Sequence, residues 1–358
     1  MTKSNDKGIK ELTPEQMKCV DFKSGDLLIK GVPGSGKSYV IMKRAIKLKE
    51  KHPNSKVMVL TFANSLVKYT DELLRDYNDK NAIEVMTVDK YCTDLYRVIT
   101  KKRCFSSSDD KYTELIKKSM SDAKTFSNNK HRLLNEKNID FLKDEINWIR
   151  EKCILNRTDY HKSDRRGRGA TIRLSVSDKD VMWDIYSHFR VNCEAQKYSD
   201  LREMYLELNM MLDSFPEKYK IDYILVDEAQ DLTIGKMRVL KALATKSITI
   251  SADFAQKIYN TTFTWKEVGI DISGNSSKSL TKSFRSTKQI VMLAESLIER
   301  NRMDPVHRDE YTNAILPESE GPLPVLYECD TNMDKDAIIR ETLRMCKRKI
   351  QRVYSSFL

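Results

Sequence analysis

Short apolar runs alternate with stretches of helical periodicity over the first third of the chain and again after residue 220. That alternation predicts a parallel sheet with crossover helices. Strands are expected at residues 26–30, 56–62, 83–87, 223–227 and 247–252. The runs Val57-Met58-Val59-Leu60 and Tyr223-Ile224-Leu225-Val226 are apolar at consecutive positions, so those strands should be covered on both faces. Between about residues 91 and 219 the texture becomes one of long amphipathic helices, such as 139–153 and 179–193, joined by polar connectors. This reads as a mostly helical insertion splitting one α/β domain. Gly274-Asn275-Ser276-Ser277 reads as a linker. Beyond it the pattern predicts a helix near 288–300, a turn-rich stretch from Pro305 to Pro324, a strand at 325–328 and a helix at 335–352.

Composition narrows the class. The 358 residues hold 63 Lys and Arg against 52 Asp and Glu, a formal net charge of +11; at about 100–200 residues per domain, two or three domains are expected. The longest apolar stretch, residues 290–294, is far below the ~18 residues of a membrane-spanning helix. The polar amino terminus lacks the apolar segment of a secretory signal, so a cytoplasmic location is expected. Seven cysteines without a CxxC pair argue against a disulfide framework or a structural zinc site, and for buried thiols in a reduced interior. The cationic excess suits a nucleic-acid partner through counterion release, although solvated basic faces are also common.

The first chemical feature is Gly31-Val32-Pro33-Gly34-Ser35-Gly36-Lys37-Ser38, a complete GxxxxGK[ST] string between an expected strand and an expected helix. Its glycines let backbone N–H groups converge on phosphate oxygens at a helix amino terminus. Lys37 would reach the β- and γ-phosphates of ATP and Ser38 would hold Mg²⁺. Without ATP, Lys37 is expected to face solvent. The second feature is the strand ending in Asp227-Glu228-Ala229-Gln230-Asp231. Beside a phosphate loop, Asp227 can hold the metal while Glu228 orients and deprotonates the attacking water, the pairing of an ATP hydrolase.

With these residues in place, the chain resembles the superfamily 1 helicases of the UvrD/Rep type over nearly its whole length. Leu12-Thr13-Pro14-Glu15-Gln16 looks like the family's Q-motif, which implies that Gln16 reads the adenine edge. Tyr39 stands where many members have an arginine beside adenine and can still stack there. Leu60-Thr61-Phe62-Ala63-Asn64 is similar to the motif whose aromatic stacks on a DNA base, so the resemblance places Phe62 and Asn64 on nucleic acid. Met86-Thr87-Val88-Asp89-Lys90-Tyr91 resembles a further single-strand motif and nominates Thr87, with Asp89 standing where the family usually has histidine. Residues Ser251-Ala252-Asp253-Phe254-Ala255-Gln256-Lys257-Ile258-Tyr259 resemble GDxxQxIY, implying γ-phosphate sensing by Gln256 and base stacking by Tyr259. Ser283-Phe284-Arg285-Ser286-Thr287 looks like the element whose arginine reaches the γ-phosphate, which makes Arg285 catalytic with Glu228 and Gln256.

The implied fold is a P-loop NTPase with a RecA-like parallel sheet (residues 1–96 and 197–278), a helical inserted subdomain (97–196) and the start of a second RecA-like domain (279–358). The implied activity is ATP- and Mg²⁺-dependent movement on single-stranded DNA, 3′ to 5′, with DNA preferred over RNA and no protein partner identifiable. A nucleotide-gated nucleic-acid-binding or regulatory module without unwinding activity is the alternative. The family's later motifs are not visible after Arg285, so a fragment of a longer helicase or a shortened protein is expected. Phe263 and Trp265 read as further stacking residues or, more simply, as core. The loop Arg165-Arg166-Gly167-Arg168-Gly169 reads equally as a phosphate contact or a solvated tip.

Overall fold

A computed structural model describes residues 11–62, 64–74, 83–104, 109–127, 131–163, 165, 173–253, 263–301 and 312–355. Its strands are β1 (Leu27–Gly31), β2 (Val57–Thr61), β3 (Glu84–Thr87), β4 (Ile221–Val226), β5 (Ala244–Ala252) and β6 (Ser277–Leu280). They form one sheet in the order β3-β2-β4-β5-β1-β6, and every pairing is parallel. The helices in chain order are α1 (Pro14–Val20), α2 (Lys37–Lys51), α3 (Asn64–Leu74), α4 (Val88–Thr100), α5 (Asp109–Ser127) and α6 (Ile139–Glu151). They continue with α7 (Arg157–Lys162), α8 (Val176–Ala195), α9 (Leu201–Met210), α10 (Ile234–Leu243), α11 (Lys288–Asn301) and α12 (Asn332–Ser355). The α/β class expected from the alternation of runs is the class observed.

The pleat explains the unbroken apolar runs. Met58, Leu60, Ile224 and Val226 point to one face, where they pack with α4, α9 and α10. Val57, Val59, Tyr223 and Leu225 point to the other, against α1 and α2. Since successive strand side chains alternate between faces, a sheet covered on both sides needs apolar residues at every position. Each fully buried Leu or Ile contributes about 1.5–3 kcal/mol relative to exposure. A third core, built from Leu115, Ile116, Leu142, Ile146, Ile149, Met182, Ile185 and Phe189, holds α5, α6 and α8 together away from the sheet.

Two buried arginines tie these layers. Arg44 of α2 is 1% exposed. It donates to the carbonyls of Cys19, Val20 and Phe22 at 3.1, 3.3 and 2.8 Å and to Thr249 Oγ1 at 2.9 Å. Burial pushes its pKa down to about 10, yet four acceptors hold the cation and lock the end of α1 onto α2. Arg150 of α6 is fully buried and pairs with Asp200, which caps α9, and with Glu203 within α9. Burial pushes Asp200 up, but Arg150 outweighs it and leaves the carboxyl below its ordinary value. Burial dominates at Glu203 and raises it. Arg150 thus fastens a helix of the third core to a helix whose apolar side, Met204, Tyr205 and Leu208, belongs to the sheet.

The structure corrects three expectations. Residues 277–280, read partly as linker, form the edge strand β6, registered on β1 from Leu28↔Ser277 to Gly31↔Leu280. In Ser277-Lys278-Ser279-Leu280 only Leu280 is apolar, so an edge strand leaves no run to detect. Residues 325–328 are not a strand; Val325, Leu326 and Tyr327 are 71, 86 and 60% exposed. The helical texture beginning near residue 91 starts with α4, whose Tyr91, Cys92, Leu95 and Tyr96 pack on the sheet core instead of the separate helical one. All seven cysteines are free thiols, and among the described residues no helix is long and apolar enough to cross a membrane.

Candidate nucleotide and nucleic-acid site

The phosphate loop leaves β1 at Gly31 and enters α2 at Lys37, at the carboxyl ends of the strands. Gly34 and Gly36 adopt φ of +75° and +84°, conformations that disfavour any side chain. A Cβ on Gly31 would lie 2.6 Å from Ser35 Oγ, 3.1 Å from Lys37 Cγ and 3.2 Å from Leu280 Cβ, so a side chain there would crowd the loop. Ser35 N–H donates to Val32 O at 3.1 Å. Val32 is buried and Pro33 half-buried. Ser35 Oγ is buried without a hydrogen-bond partner. Tight glycines, an orphaned hydroxyl and a helix amino terminus fit a phosphate group.

Contrary to expectation, Lys37 does not face solvent. It is 7% exposed and its Nζ folds back to Gly31 O at 2.9 Å, Val32 O at 3.3 Å and Asp253 Oδ2 at 3.4 Å. Asp253 immediately follows β5 and is itself 3% exposed. The lysine is therefore parked on the loop it serves, opposite a carboxylate 216 positions away in sequence, just past the neighbouring strand β5.

Asp227 follows β4 and is 1% exposed. Its N–H donates to Leu60 O at 2.9 Å, while its Oδ1 accepts from the Ser251 hydroxyl and from Glu228 N–H at 3.2 Å. Ser38 also hydrogen-bonds this carboxylate. Burial raises the Asp227 pKa, opposed by the Ser251 and Ser38 hydroxyls. Ser38 and Asp227, nominated independently as magnesium ligands, are thus adjacent. Glu228 sits at φ +56°, left-handed for a non-glycine residue, which is strain stored at a candidate catalytic position. Gln230 spans the site: its Nε2 donates to Glu228 Oε2 at 2.6 Å and its Oε1 accepts from Asp253 N–H at 3.1 Å.

On the other side, α1 braces the loop. Thr13 and Gln16 form a reciprocal capping box, and Gln16 Nε2 donates to Ser35 O at 3.0 Å, so this amide is engaged on the loop itself. Tyr39 is half-buried, with Lys43 over its ring at 5.4 Å. The Glu15 carboxylate accepts from Thr281 N–H and Oγ1 at 3.0 and 2.9 Å, clasping the segment after β6. That clasp delivers Phe284 N–H to Gly34 O at 2.9 Å, and a Cβ on Gly34 would lie 2.7 Å from Arg285 Cβ. Exposed Arg285 therefore stands against the phosphate loop.

The nucleic-acid candidates divide. Phe62, 40% exposed just past β2, carries Lys236 over its ring at 5.5 Å. Asn64 is exposed at the start of α3. Thr87 is buried and caps α4 by accepting from Lys90 N–H at 3.3 Å, a structural use of its hydroxyl. Gln256 and Tyr259 lie outside the described residues. Trp265 is 7% exposed, with Phe263 edge-on at 5.5 Å, so the core reading holds for both. Arg165 pairs with buried Glu145 and covers the Trp148 ring at 5.5 Å; the remainder of that cationic loop lies outside the described residues. Sequence reasoning gave no role to Gln230, Asp253, Ser251 or Lys236. Apart from the Gln230–Glu228 bond, the contacts that place them at the site span about 20 to 220 positions, so the local motifs that contain Gln230 and Asp253 do not reveal them.

Residues 12–266 match the UvrD/REP helicase N-terminal domain family. The "Probable DNA helicase II homolog" of Mycoplasma capricolum is 24% identical over 341 residues, covering 87% of this chain and 43% of that protein. The ATP-dependent DNA helicase PcrA of Bacillus subtilis is 24% identical over 314 residues, covering 81% of this chain and 40% of its own length. The chain spans less than half the length of either relative. On the extent of the family match, it belongs to the UvrD/REP helicase family and carries its N-terminal domain.

Proposed function

We propose that this UvrD/REP-family chain binds ATP at Gly31–Ser38 and that the whole protein couples ATP hydrolysis to 3′-to-5′ movement on single-stranded DNA in the cytoplasm. The observation that carries the reading is convergence: Lys37, Ser38, Asp227, Glu228 and Arg285 come from three separated stretches of chain and meet at one phosphate loop. Residues 1–96 and 197–278 would act as the ATPase domain, 97–196 as a helical subdomain and 279–358 as the beginning of a second RecA-like domain.

The residues have separable tasks. Lys37 would exchange Gly31 O, Val32 O and Asp253 for phosphate oxygens. Ser38 and Asp227 would hold Mg²⁺, which when bound neutralises phosphate charge. Glu228 would accept the proton of the attacking water while Gln230 fixes its carboxylate. Arg285, beside Gly34, would meet charge developing on the transferred phosphoryl group. Phe62 supplies a platform for a base, which contributes ~1–3 kcal/mol without reading sequence.

The test separates two carboxylates. Glu228→Gln should retain ATP within a few-fold in equilibrium titration and lose DNA-stimulated hydrolysis, while Asp227→Asn should lose the magnesium dependence of nucleotide binding. If both variants only raised the Michaelis constant, the assigned roles would be wrong.

A further inference from the structure

Lys236 lies in the first turn of α10, and its side chain is only 13% exposed. Its Nζ is 2.7 Å from Asp89 Oδ1, 5.5 Å from the Phe62 ring centroid and 5.1 Å from that of Tyr205. Tyr205 Oη donates to the same Asp89 oxygen at 2.6 Å. Asp89 is 32% exposed, so the pair is reachable from solvent. Phe62, Tyr205, Lys236, Arg202 and Thr233 line a cavity of about 270 Å³ between the sheet's carboxyl ends and α9. Arg202 is itself held by Glu151 at 2.7 Å.

Three physical facts combine here. An exposed aromatic face beside open volume suits a stacked base. A cation over that face is where the backbone of a stacked strand would find a partner. Yet a carboxylate at the same spot, standing alone, would repel phosphate. The short Asp89–Lys236 contact resolves the conflict, because it neutralises Asp89 and pins the ammonium over the ring.

We propose that Lys236 is a phosphodiester-binding residue for single-stranded nucleic acid at Phe62, and that Asp89 is its internal competitor, holding the ammonium until a strand phosphate takes it. This rests on the single-strand reading above. Each phosphate contact contributes ~0.7 to the slope of log affinity against log salt for a single strand, equivalent to about fivefold in affinity at 0.1 M salt.

The experiment is fluorescence anisotropy with labelled oligo(dT) on the full 358-residue chain at several salt concentrations, for wild type, Phe62→Ala, Lys236→Gln, Lys236→Arg and Asp89→Asn. Lys236→Gln should lower the slope by ~0.7 and weaken binding about fivefold at 0.1 M salt. Lys236→Arg should keep the wild-type slope. Asp89→Asn should tighten binding at least twofold without reducing the slope. Thermal melts and ATP affinity, measured alongside, identify a variant that fails to fold, and Lys236→Arg then carries the comparison through its slope. A wild-type slope in folded Lys236→Gln, or weaker binding in Asp89→Asn, overturns the assignment. A wild-type chain that does not bind oligo(dT) refutes the single-strand reading first. Loss of binding in Phe62→Ala with none in Lys236→Gln refutes only the present inference.

Discussion

Removing Lys37 should do more than abolish ATP binding: it should destabilise the nucleotide-free protein. The lysine is 7% exposed and faces an Asp253 carboxylate that is 3% exposed. Truncating one member of a buried ion pair typically costs 3–5 kcal/mol, because the other charge stays buried. The 3.4 Å separation is long for a charge-assisted contact, so the low end applies, ~3 kcal/mol for Lys37→Ala. At roughly 2–4 °C per kcal/mol for a domain of 150–250 residues, the melting temperature should fall by about 6–12 °C. Adding Asp253→Asn removes the carboxylate charge, so the double variant should melt above Lys37→Ala alone, a non-additivity that the mutant cycle reads directly. Calorimetry without nucleotide, beside an ATP titration, is the assay. A Lys37→Ala protein that binds no ATP but melts with wild type would refute the reasoning, and so would a double variant less stable than the single.

Other expectations follow from separate contacts. Gln230→Leu removes the bridge between Glu228 and the end of β5, so steady-state assays should show kcat falling at least tenfold while ATP affinity stays within twofold; equal losses in both would contradict a positioning role. In the helical core, hydrogen bonding from Arg132 holds the Asp178 carboxyl well below the usual carboxylate range, aided by Ser175. A depressed carboxyl contributes stability that is present above its unfolded pKa of about 4 and lost as pH falls through the folded value. Tryptophan fluorescence from Trp148 and Trp183, both in that core, should therefore report acid unfolding that begins near pH 4, and Asp178→Asn should flatten this limb while lowering stability at neutral pH.

Strands with continuous apolar runs were legible because burial on both faces leaves a local signature, as in Val57-Met58-Val59-Leu60. Edge strand β6 was not, since a polar strand paired on one side reads as a loop. The opposite error at residues 325–328 arose because an apolar run reports a tendency to pair without saying whether a neighbour exists. Within the site, the phosphate loop was legible as eight consecutive residues. The position of Arg285 against Gly34 could be expected only through family resemblance, and the Lys37–Asp253 and Gln230–Asp253 contacts not at all, because they join β1, β4 and β5 through topology. Thr87 shows the limit from the other direction: its place in a recognisable motif did not reveal that its hydroxyl caps α4.

Arg150 has a consequence for how the molecule comes apart. Its helix is cemented into one apolar core, while its anionic partners ride on a helix whose apolar side is cemented into the other. Peeling the helical layer from the sheet would part a fully buried guanidinium from two carboxylates that are 16% and 6% exposed. A separation at this seam too narrow to admit water would leave these charges buried and uncompensated, and is penalised. The two cores should share a single cooperative unfolding event, with the most protected amide protons on α6 and α9 reporting one common opening free energy. A seam stitched by charge behaves as all-or-none where a purely greasy one would slide.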